Sequence, residues 1–250
     1  MKNLTQKIIL TFLVGLAFIN QKEVVAHSFY DEKLYLFNMG YGKTNANFKF
    51  PDNPIYNVQV NHFPLSYEFY QRNFYFYSDV LTPLIDLCLG ANNREFWWGF
   101  KEQGLVFNGG DWPLARLAFG AYIGDNVGIY AGGQWGYSHW KVDIGEGHDK
   151  QFVYDELLKT EVGGHTYGPG LHVVLDFEKI LIRNSLMYNF VTQGFKGEKY
   201  TETFTWDVMA TFRLEPENTV GIFANYVYSP DRIDVEISKF RIGASILFNR

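Results

Sequence analysis

From Arg116 to the end of the chain, apolar and polar residues alternate with a period of two, the spacing of strands that are greasy on one face only. The final segment is the clearest: Phe240, Ile242, Ala244, Ile246 and Phe248 share one face, and Arg241, Gly243, Ser245, Leu247 and Asn249 share the other. Before it, Val220, Ile222, Ala224, Tyr226 and Tyr228 oppose Gly221, Phe223, Asn225 and Val227. Further upstream, Phe204, Trp206, Val208, Ala210 and Phe212 oppose Thr205, Asp207, Met209, Thr211 and Arg213. Segments over 180–190, 167–177, 127–137 and 116–123 repeat the pattern, with Asn184 as an exception on its apolar face. In the segment 167–177, Gly168-Pro169-Gly170 predicts a bulge or kink, because proline cannot donate to a ladder.

The connections alternate in length. Gly124-Asp125-Asn126, Glu178-Lys179 and 215–218 are short, whereas 141–162, 192–202 and 230–238 are long. This is the up-and-down pattern of a barrel with tight turns at one end and longer loops at the other. In the first hundred residues, Lys33 to Lys43, Leu65 to Asp79 and Arg94 to Phe107, the last holding Phe96-Trp97-Trp98, read as further strands. The expectation is an all-β fold, an antiparallel transmembrane β-barrel of about ten strands, with eight as the alternative if one early segment is a plug or loop.

The polar faces distinguish this pattern from that of a soluble sandwich, whose wet face carries many Lys and Glu. Lys141, Lys150, Lys159, Lys179, Lys196, Lys199 and Lys239 are placed in turns, loops and strand ends, while the polar faces hold Gly, Ser, Thr and Asn with single charges. Such faces suit a crowded lumen. Arg116, Arg183, Arg213 and Arg241, with Asp176 and Asp207 and with Glu68 as a further member, are the candidate lumen charge network, since a buried charge needs a partner. On the apolar faces, Trp135, Tyr137, Tyr188, Phe190, Phe204, Trp206, Tyr226, Tyr228, Phe240 and Phe248 are the candidate interface aromatics, at the levels where a ring straddles apolar and wet surroundings.

Composition narrows the partners. A net charge of -5 argues against a nucleic-acid surface. Cys88 is the sole cysteine, so no internal disulfide can form; the stretch from Leu84 to Leu89 reads as a short apolar turn or helical piece. Residues 1–26 read as a secretory signal: Lys2 and Lys7 give the charged start, Ile8 to Ile19 the apolar core and Val24-Val25-Ala26 the cleavage site, so the barrel domain is 27–250. That apolar run is about 12 residues, short of the roughly 20 of a spanning helix.

With its signal, alternating strands, unequal connections and a terminal segment Lys239 to Arg250 carrying an aromatic two residues from its end, the chain resembles the small outer-membrane β-barrel proteins of Gram-negative bacteria. In that group the chain usually ends on the aromatic itself, and Asn249-Arg250 departs from this. The resemblance implies an outer-membrane location, surroundings of membrane lipids and lipopolysaccharide, and assembly by the barrel assembly machinery. It names no ligand.

A barrel this narrow is filled by its own side chains, which weighs against a general porin. The expected role is structural, adhesive or receptor-like, or that of a narrow channel. One alternative is a lipid-modifying enzyme acting on lipid A or phospholipid, with Ser138, His139 and Asp143 as catalytic candidates. Ser138 and His139 are adjacent, and adjacent strand residues face opposite ways. The other is a soluble periplasmic lipocalin-like carrier. No cofactor is expected, and the loop Asp143-Ile144-Gly145-Glu146-Gly147-His148-Asp149 lacks the ligand spacing of a calcium loop, so it reads as a solvated acidic loop rather than a metal site.

Overall fold

The computed structural model describes residues 33–48, 56–89, 105–123, 126–144, 161–177, 179–191, 201–214, 220–232 and 235–249. The expected signal segment and Phe96-Trp97-Trp98 lie outside them. The elements in chain order are β1 (Leu34–Phe48), β2 (Tyr56–His62), β3 (Leu65–Gln71), β4 (Phe74–Ser78), α1 (Leu81–Leu89), β5 (Leu105–Ile123), β6 (Val127–Ile144), β7 (Glu161–Asp176), β8 (Ile180–Val191), β9 (Thr201–Arg213), β10 (Val220–Arg232) and β11 (Val235–Asn249).

Every strand is antiparallel to its neighbours, and β11 pairs with β1 over the full length of both, which closes the sheet. β2 and β3 lie end to end along the same edge of β1, opposite Gly42–Phe48 and Leu34–Met39 respectively. Together they make one interrupted wall strand, so the closed barrel has 10 strands. Pro64 sits at the interruption, where its carbonyl accepts from the Gly40 N–H at 3.1 Å. At the closing seam Gly40 faces Gly243, and a Cβ at Gly243 would lie 2.2 Å from the Met39 carbonyl oxygen. Glycine is required there by the closeness of the two backbones.

The early strands differ from the sequence reading. Leu65 to Asp79 is not one strand but the hairpin of β3 and β4, turning at Arg72-Asn73. Leu105–Phe107, the end of the segment Arg94 to Phe107, is the start of β5 rather than part of a separate strand. Register also runs unbroken past Pro169: Tyr167 opposes Phe190 and Gly170 opposes Met187 with no residue inserted, so the ladder to β8 lapses without a bulge. The register shift occurs instead around Pro113, between Trp112 and Ala115 against β6. A second lies between Ser229 and Arg232, where the chain passes from β10 to β11 with only residues 233–234 between strands in place of the long loop expected over 230–238.

Inside and outside follow the alternation. In β11, Arg241, Ser245 and Leu247 are buried while Phe240, Ile242, Ala244, Ile246 and Phe248 are exposed; β5 to β10 repeat this. Lys239 departs from its expected place at a strand end, because β11 begins at Val235 and so takes Lys239 into the strand, buried on the inner face. Lys141 falls within β6 for the same reason.

Candidate functional site in the barrel interior

Toward the short turns the inner face is apolar, with Leu34, Leu36, Val174, Leu181 and Leu247 buried together, and above them lies a polar core with Asp207 on β9 near its centre. Its carboxylate meets Arg116 of β5 at 2.5 Å and Arg183 of β8 at 2.9 Å, and it accepts from Asn225 Nδ2 of β10 at 2.7 Å. Arg183 then reaches across the lumen to Glu68 of β3 at 2.7 Å and donates to the Tyr75 hydroxyl of β4 at 3.0 Å. Glu68 also accepts from the Tyr70 hydroxyl at 2.5 Å and from Asn38 Nδ2 at 3.3 Å, and the Asn38 Oδ1 accepts from Ser245 at 2.5 Å. The chain of bonds therefore links β10, β9, β8, β3, β1 and β11 through the middle of the barrel. Buried ions matched in this way avoid the several kcal/mol that each would cost alone.

The ring of Tyr77 completes the cluster. The guanidinium of Arg116 lies 4.6 Å from its centroid and that of Arg183 5.2 Å, within the range of cation–π attraction. Its hydroxyl donates to Asp79 at 3.1 Å and accepts from Arg241 at 3.3 Å. Arg241 in turn pairs with Asp79 at 2.8 Å, and Thr82 of α1 donates to the same carboxylate. Nearby, His172 contacts the Ser185 hydroxyl at 2.8 Å and its ring lies 4.9 Å from that of Tyr75. A second set of rungs runs from Gln134 to Asn189, on to Thr205 at 2.8 Å and to Ser229 at 3.2 Å.

Of the network residues picked from sequence, Arg116, Arg183, Arg241 and Asp207 lie in this core, together with Glu68. Arg213 and Asp176 make a separate pair at 3.3 Å, at the end of the barrel with the short turns. Asp79, Thr82, Asn38, Asn225, Tyr75 and Tyr77 were missed. For Tyr75, Tyr77 and Asp79 the signal was the β3–β4 hairpin: a two-residue turn reverses the alternation, so Glu68 and Tyr75 share a face only once the turn is recognised, and Arg72-Asn73 is not one of the usual glycine-bearing pairs. Asn38 of β1, Asn225 of β10 and Thr82 of α1 lie outside that hairpin and, being uncharged, did not enter a network picked on charge. Ser138, His139 and Asp143 belong to β6, which continues to Ile144, and their side chains lie outside the described ones. Residues 145–149 of the acidic loop lie outside the described residues altogether.

The sequence-picked aromatics are on the outer face. Rings of Tyr188 and Phe204 stand 4.9 Å apart, Tyr167 and Phe190 6.0 Å, and Trp206 and Tyr226 6.3 Å, forming one belt towards the end with the long connections. A second belt, the one to which the sequence-picked Phe248 belongs, runs nearer the short turns: Phe248 is in register with Tyr35, and Tyr35, Phe69, Phe74 and Phe119 follow at 4.9, 5.7 and 5.4 Å between successive rings. The exceptional Asn184 is met on this outer face by Trp206 Nε1, which donates to its Oδ1 at 2.9 Å.

The fold and its polar interior define a closed antiparallel β-barrel that resembles outer-membrane proteins of Gram-negative bacteria. Among solved structures, the chain is similar to the attachment invasion locus protein Ail of Yersinia pestis (12% identity, 86% of this chain and 99% of that one, TM-score 0.33). It is also similar to the outer membrane protease OmpT of Escherichia coli (8%, 92% and 99%, TM-score 0.41) and to the translocator domain of the autotransporter NalP of Neisseria meningitidis (7%, 97% and 95%, TM-score 0.38). No family model and no curated protein sequence matches the chain.

Proposed function

We propose that the protein is an integral outer-membrane barrel with a sealed interior, serving as a rigid anchor that presents its long connections for a structural, adhesive or receptor-like role. The membrane part of the reading rests on the outer face, where Met39, Leu117, Phe119, Leu171, Leu186, Ile222, Ile242 and Ile246 are all exposed. So continuous an apolar surface is foreign to a soluble protein. From Phe240 to Phe248 it spans roughly 26 Å along β11 at about 3.3 Å per residue, or roughly 20 Å vertically for a tilt near 40°, comparable with the ~25 Å apolar band of outer-membrane barrels. A lipocalin-like carrier would have the opposite polarity, with its apolar faces turned inward.

The sealed interior rests on one observation, the bridge by which Arg183 joins Asp207 on one wall to Glu68 on the other. Ion pairs and tyrosines at this spacing leave the middle of the lumen to side chains, which favours an anchor over a narrow channel. Protein reconstituted in a planar bilayer tests this. The expected record is a flat baseline with no discrete steps; steady ohmic steps from the wild type would replace the anchor by a channel.

A further inference from the structure

We propose that the first turn of α1 is a lipid-contacting part of the barrel wall, with Val80, Leu81 and Leu84 meeting the acyl chains of the surrounding membrane. The inference rests on the membrane reading above and adds a helical element to the surface that lipid covers. β4 is short, ending at Ser78, whereas its neighbour β5 runs on from Ala115, the partner of Ser78, back to Leu105. Above Ser78 the chain does not leave the wall at once. The Asp79 N–H donates to the Leu114 carbonyl of β5 at 2.9 Å, and the Leu65 N–H of β3 donates to Thr82 Oγ1 at 2.8 Å. The start of α1 is thus fastened to the strands on both sides, and it satisfies a backbone group on each that hydrocarbon would leave unpaired.

The same polarity as in the strands is kept across this piece. Asp79 and Thr82 are buried, bound to each other and through Asp79 to Arg241 in the core. Val80, Leu81 and Leu84 face outward, at 44, 52 and 55% exposure. Leu81 and Leu84 are three residues apart and share a helical face. The patch follows directly on β4, whose outward Phe76 is in register with the exposed Leu117 of β5, so it extends the apolar outer wall already assigned to lipid. It also lies near the upper belt: Ser78 is in register with Ala115, Ala115 with Trp135 and Trp135 with Tyr167. An apolar helical face at that level, fastened into the wall and continuous with the strands, is suited to acyl chains near the interface.

The test uses the full barrel carrying Cys88→Ser, with one cysteine introduced at Leu84, Leu81, Leu117 or Arg72 and labelled with a small environment-sensitive fluorophore. Each variant is checked for folding by heat-modifiable migration and reconstituted in phosphatidylcholine vesicles with or without brominated acyl chains. Leu84→Cys and Leu81→Cys are expected to be quenched by brominated lipid within about twofold of Leu117→Cys and to be shielded from aqueous iodide, while Arg72→Cys in the turn shows the reverse. Quenching of Leu117→Cys by lipid, with both helix positions answering only to iodide, would overturn this inference and leave the barrel reading intact. Failure of Leu117→Cys itself to sense lipid would overturn both.

Discussion

Arg241, near the middle of the last strand, holds Asp79 at 2.8 Å, so the closing strand of the barrel is tied directly to the junction between β4 and α1. Both groups are buried, and Tyr77 and Thr82 bond the same carboxylate. Removing one partner strands the other charge, so Arg241→Ala should lower unfolding stability by about 3–5 kcal/mol. The urea midpoint of the folded gel band measures this. Adding Asp79→Asn to Arg241→Ala should recover part of the loss, because the stranded charge is then gone; independent, additive losses would show that the two residues do not act as a pair.

Asp207 and Asp176 are both buried aspartates of the inner face, yet they are embedded differently. Asp207 serves Arg116, Arg183 and Asn225, whereas Asp176 is bound to Arg213 by one contact at 3.3 Å near the barrel end. Asp207→Ala is therefore expected to shift the urea midpoint at least twice as far as Asp176→Ala. Equal shifts would mean that the central cluster contributes no more than the peripheral pair.

Depth along the outer face sets the cost of a misplaced charge. Ile242 lies between Phe240 and Phe248 in the aliphatic zone of β11, and Tyr188 belongs to the upper belt. Ile242→Arg should destabilise the reconstituted barrel by about 2–4 kcal/mol and Tyr188→Arg by about 0–1 kcal/mol. Unfolding from vesicles checks the ratio, and a surface facing water would show no such gradient.

The seam between β1 and β11 depends on the absence of side chains where Gly40 meets Gly243. Gly243→Val is expected to prevent closure or greatly slow it, seen as loss of the heat-modifiable band, while Ala244→Val on the lipid face is tolerated.

What the sequence revealed, and what it hid, follows from how each region folds. From β5 to β11 the outward face is apolar almost throughout while the inward face holds the charged and most of the polar residues, so period alone separates Ile242 from Arg241 and Phe212 from Thr211. The early strands are short and interrupted. β2 and β3 share one edge of β1 across Phe63-Pro64, and the β3–β4 hairpin reverses parity without a glycine to announce it. The partnership of Arg183 with Glu68 is a contact across the lumen between strands distant in sequence, which no local pattern encodes. Asn184 looked like a flaw in its strand because its partner, Trp206, lies on the neighbouring one.

The most direct test of the account is where the full-length protein resides and how it migrates. Cells expressing it should carry it in the outer-membrane fraction, released by detergent and not by salt or alkali, and the unboiled protein should run at a different apparent mass from the boiled one. Recovery from the periplasm as a soluble protein with identical migration before and after boiling would contradict the account at its centre.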